Sequence, residues 1–311
     1  PPPPLQDELT PTQTEGAATK LLILANGCWF GGIWSDAEGR EPPESKRADI
    51  EARCKDVLKG IYGDAGADDK AKLEQLRAFD ASAVGDLAAK VDSLAKDDTK
   101  DGPRREALVS VLKASAAAQR EAMLARRAAE KVKRDVDKEP AKLTSEEVEA
   151  VGPVSATKDL EALLGIDDPD ARAIAYITAM DRIAISRGLP KHLKIYSLAG
   201  TMKALFGTPP PALPADVTKA PKKGTYLAYV TDVAKAAGHA VPDTAKTPKQ
   251  KEALAWAGVL AGVADRIKSS ADKLPEDSHF RALSQRIAQR LTFWYEAETK
   301  AAESKKPAPK K

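Results

Sequence analysis

Two cysteines and three histidines are the side chains best suited to redox, nucleophilic or metal chemistry. Cys28 and Cys54 each fall on an apolar stripe, and Pro42-Pro43 between them turns the chain back. That arrangement predicts a disulfide, with two buried free thiols as the alternative. His192, His239 and His279 lie in three separate segments, which leaves little for a histidine-built metal site. Cys-x-x-Cys-His is absent, so covalent haem of the c type is excluded. The sequence contains no phosphate loop, dinucleotide fingerprint, nucleophile elbow, zincin motif or calcium loop. These residues imply no metal, no cofactor and no enzyme.

Two acidic clusters have simple readings. Glu146-Glu147-x-Glu149 reads as a solvated helix face. Asp167-Asp168-x-Asp170 reads as capping chemistry, with Asp168 as N-cap and Pro169 at the first helical position. Tyr196, Phe206, Trp256 and Trp294 would line a pocket for a small apolar ligand or cofactor between helices of the second half. Trp256, set among alanines and a glycine, is most simply a core anchor. Arg281, Arg286 and Arg290 with Phe293, Trp294 and Tyr295 read as core aromatics edged by snorkelling arginines rather than a nucleic-acid surface.

The elements that must carry these groups are helical. Residues 17–34 are the most apolar stretch. Asn26-Gly27 inside it is a hairpin signal, but no other segment supplies a sheet partner, so helix is favoured. Ile50, Cys54, Val57, Leu58 and Ile61 mark an amphipathic helix over 43–62. Shorter helices follow at 68–79 and 81–96. A long Ala-rich helix spans about 103–138. On it Leu108, Val111, Ser115, Ala118, Ala122, Ala125, Ala129, Val132 and Val136 recur by threes and fours, a heptad seam with alanine at its centre. The seam should meet the 81–96 helix or a second copy of the chain. Further helices are expected at 156–164, 168–187, 190–206, 225–237, 248–273 and 278–303. Thr247-Pro248 and Asp277-Ser278 are credible starts.

The chain is thus expected to be all-α, with about ten helices in two bundles. Residues 1–14 form a Pro-rich tail, 15–140 the first bundle, 141–155 a linker, 156–303 the second bundle and 304–311 a basic tail. No apolar run reaches the ~18 residues of a membrane span. A net charge of +3, from 49 basic and 46 acidic side chains, argues against a general nucleic-acid coat. The basic side chains of the long helix and the Lys-rich tail leave nucleic-acid binding as an alternative. The first hundred residues carry about 13 basic and 19 acidic groups, so the excess of positive charge lies in the remainder. The start at Pro1 without an initiator Met leads to the expectation that a leader was removed and that the protein is periplasmic or secreted, with a cytoplasmic location as the alternative. The function expected is structural or protein-binding, with a protein or a cell-envelope component as partner.

Overall fold

The computed structural model of the 311-residue chain describes residues 15–30, 44–134, 153–188, 191–208 and 222–304. Among them are eleven α-helices and no strand. In chain order these are α1 (Ala17–Phe30), α2 (Glu44–Tyr62), α3 (Lys70–Arg77), α4 (Ala81–Lys96) and α5 (Arg105–Arg134). Then follow α6 (Pro153–Gly165), α7 (Pro169–Gly188), α8 (Lys191–Phe206), α9 (Thr225–Ala236), α10 (Pro248–Ala271) and α11 (His279–Ser304). Short 3-10 turns stand at Asp64–Gly66 and Gly102–Arg104, the latter leading into α5.

The helix limits follow from local capping. Asp69 accepts from the Lys72 amide and Asp80 from the Ser82 amide, starting α3 and α4. Thr247 and Gln250 exchange side-chain and backbone bonds in a capping box at the start of α10, with Pro248 in the first turn. Gly63 takes a positive φ of 81° just past α2, where a side chain would be strained. Asn26-Gly27 is helical. The Asn26 amide group bonds back to the Leu22 carbonyl at 2.9 Å, and its oxygen accepts from the Ser115 hydroxyl at 2.8 Å. Those two bonds satisfy in a helix a side chain that favours turns when it lacks partners.

The buried apolar side chains form one continuous cluster that draws on both halves of the chain. α5 is the shared element: it packs on α1 and α4 on the N-terminal side and on α6 and α7 on the C-terminal side. The Ala seam makes this possible. Leu108, Val111, Ser115, Ala118, Ala122 and Ala125 are all buried within the chain, and small side chains let neighbouring backbones come close. The expected contact with residues 81–96 is present. As a surface for a second molecule the seam is closed over this stretch. The side chains of Ala129 and Val132, and the whole of Val136, lie outside the described residues.

α7 touches α5, α6, α8, α10 and α11. Consecutive residues from Ala173 to Ile183 are buried, so the helix has no solvent face over that stretch. An amphipathic helix buries one stripe, whereas contact with five helices buries every side here. α10 and α11 form an antiparallel hairpin, and α9 closes on α10 at two glycines one turn apart. A Cβ at Gly258 would stand 2.5 Å from the His239 carbonyl oxygen, and one at Gly262 would stand 2.4 Å from the Ala237 Cβ.

Ala122→Leu adds three carbons to a fully packed seam. It should lower stability by roughly 1–3 kcal/mol, read as a fall in Tm. Gly258→Ala should lower Tm as well, because its contact is backbone and cannot swing away.

Candidate functional site

The densest polar arrangement lies where the first turns of α1 and α7 approach the turn that leads into α5. Asp101, in that turn, is buried. Its Oδ2 accepts from the Ala18 amide at 2.9 Å and the Thr19 amide at 3.1 Å. Its Oδ1 accepts from the Thr19 hydroxyl at 2.8 Å. Asp98 accepts from the Ala17 amide at 3.3 Å. α1 therefore has its N-terminal donors satisfied by carboxylates more than eighty residues away in sequence, and the negative charge also suits the helix dipole. Gly16 is required for the approach: a Cβ there would stand 2.2 Å from Asp101 Oδ2.

Three residues further on, Arg104 reaches across to α7. Its Nε and Nη2 donate to the two oxygens of Asp168, both at 2.9 Å, and Nη2 also donates to Asp170. Asp168 meanwhile caps α7, accepting from the Asp170 amide at 2.9 Å and the Ala171 amide at 3.3 Å. Asp168 and Asp170 are buried. Burial pushes the Asp170 carboxyl up to about 6, against the pull of Arg104 and with the neighbouring charges of Asp168 and Glu15 adding to the rise. Glu15 extends the cluster to α11, accepting from the His279 amide at 3.3 Å. The His279 ring is buried, and its Nε2 has no hydrogen-bond partner among the described residues. Burial, helped by the charge of Arg53, holds it down at about 4, so it is neutral at ordinary pH.

A second polar group lies deeper between α5, α6 and α7. Asp181 and Arg182 are buried in the middle of α7. Arg182 stands 3.8 Å from Glu121 of α5. Asp159 of α6 is pushed up to about 6 by burial and by the Glu121 charge, with Arg182 and Lys158 opposing. Both polar groups join helices from the two halves of the chain. In the first, the carboxylates accept from backbone amides, the Thr19 hydroxyl or Arg104, which fixes the helix ends.

The expected site residues fall in several places. The Cys28 and Cys54 sulfurs are 2.03 Å apart, with Cα atoms 4.9 Å apart, joining α1 to α2 at disulfide distance. Phe206 lies under the Arg266 guanidinium, Trp256 donates its indole N–H to the Tyr226 hydroxyl, and Trp294 sits beside Arg290. Each of these three aromatics thus has its own neighbour. The Tyr196 side chain lies outside the described residues. Trp294 and Tyr295 are partly buried, but Phe293 is 48% exposed rather than in the core. His239 bonds Asp265 at 2.8 Å on the surface. Glu146 to Glu149 lie outside the described residues. Asp168 caps its helix as its position before Pro169 implies. Nothing in the sequence singles out Arg104, Asp101, Glu15 and Gly16, since their partners are remote.

Gly16→Ala should displace Asp101 from three donors and cost about 1–3 kcal/mol, measured by denaturant unfolding. His279 gives a pH window. With the ring's folded value lowered from 6.5 to about 4, its contribution is intact above about 6.5 and is lost as pH falls toward 4. His279→Gln should remove up to about 3 kcal/mol of that acid sensitivity, seen as a flatter dependence of Tm on pH than in the parent protein.

No family model, no curated protein and no solved structure matches the chain.

Proposed function

We propose that this is a non-enzymatic, exported helical protein with a structural or protein-binding role, in the periplasm or outside the cell. The observation that carries the reading is the placement of Cys28 and Cys54 at disulfide distance between α1 and α2. A protein disulfide persists in oxidising compartments and is rare where glutathione keeps thiols reduced. The polar junction is consistent with a scaffold: Asp101, Arg104 and Asp168 bind helix ends and one another. The partner is a protein or another component of the cell envelope.

An apolar ligand held near Phe206, Trp256 and Trp294 is a weaker reading. The Trp256 N–H already has Tyr226, and one face of Phe206 is covered by Arg266. Nucleic-acid binding is weaker too, since a net charge of +3 on 311 residues supplies little general attraction to phosphate.

Two measurements in the native host test the proposal. Cells are quenched with acid, and the unreduced, denatured protein is alkylated and weighed. No added alkyl group, and two after reduction, is the expected result; two groups before reduction would place the thiols in a reducing compartment and overturn export. Crosslinking intact cells with a reagent that does not cross the inner membrane should give one reproducible heterologous adduct. Recovery of the uncrosslinked monomer alone would overturn the binding role.

A further inference from the structure

We propose that Asp170, set against Arg104, Asp168 and Glu15, is the proton-binding element of a clasp that strengthens the joint between the two halves of the chain in mildly acidic surroundings. The joint is defined by geometry. Arg104 comes from the turn before α5 and grips two carboxylates at the start of α7, so one guanidinium serves two buried acids. Asp168 is committed to that guanidinium and to two amides of its own helix. Asp170 is the second acid on the same nitrogen, Nη2, and it is nearly without solvent.

The charged groups that face it come from several elements. Arg104 and, beyond it, Asp101 lie in the turn before α5. Asp168 lies in its own turn. Glu15 precedes α1 and is held by the His279 amide at the start of α11. With Asp170 ionised, two buried negative charges share one positive charge and a third carboxylate stands nearby. A proton from solvent removes one of the two, leaving Arg104 and Asp168 as a bidentate pair with the neutral Asp170 carboxyl beside them. Burial and the neighbouring acids hold Asp170 up at about 6. The unfolded chain takes up the same proton only near the ordinary aspartate value of about 4. The folded state therefore binds more protons between these limits, and this joint gains stability as pH falls, with the sign opposite to that of His279.

The full chain decides the matter. Nuclear magnetic resonance of the Asp170 side-chain carboxyl carbon should show a midpoint near 6 in the folded protein, and Glu15→Gln should move it to lower pH. Between pH 7.5 and 5 the folding equilibrium constant of the parent protein should rise about tenfold relative to that of Asp170→Asn. Referring every stability to that variant cancels the titrations of His279 and Asp159. A carboxyl midpoint in the ordinary aspartate range, or a stability difference that is flat across that window, would overturn the proposal. If Asp170→Asn does not fold, the midpoints of the parent and Glu15→Gln proteins decide alone.

Discussion

The fold depends on a guanidinium placed between two buried carboxylates. Arg104 sits at the mouth of α5, which is packed by both halves of the chain, and its partners open α7, which five other helices surround. Taking away the arginine would strand two acids, and such a break is far more damaging than the net worth of the pair suggests. The bidentate geometry also sets direction, because a planar fork meets a carboxylate in a narrow range of orientations. The first turn of α7 is thereby fixed relative to the first turn of α5, and the helices that pack on α7 inherit that placement.

Much of the helical layout was legible in the sequence because caps act over three or four residues. Asp80 starts α4 and Thr247 with Gln250 starts α10, and these signals depend on neighbours in the chain. The cysteine pairing could be read because both residues lie on apolar stripes with Pro42-Pro43 between them in the sequence. The alanine seam was legible as a packing surface, with the 81–96 helix among its expected partners, but the packing of α5 on α6 and α7 was not. The polar junction was not legible. Asp101 and the α1 amides are more than eighty residues apart, and Arg104 and Asp168 are sixty-four apart. Nothing in their spacing singles them out among 49 basic and 46 acidic side chains. The same limit applies to Phe293. Its type and neighbours suggest core, and only the rotation of α11 on α10 places it outside.

The buried polar bonds supply what the alanine surfaces lack. An Ala-rich seam is smooth, and its repeat makes neighbouring registers nearly equal in dispersion energy. Sliding α1 along α5 by one turn would keep the close approach that the α5 alanines allow. It would, however, break the Ser115–Asn26 bond and strand a hydroxyl and an amide in the core. It would also pull the Ala18 and Thr19 donors away from Asp101. Each buried group left without a partner costs about 1–3 kcal/mol. Shape brings α1, α5 and α7 close together; a few hydrogen-bonded side chains select which of the close arrangements is the native one.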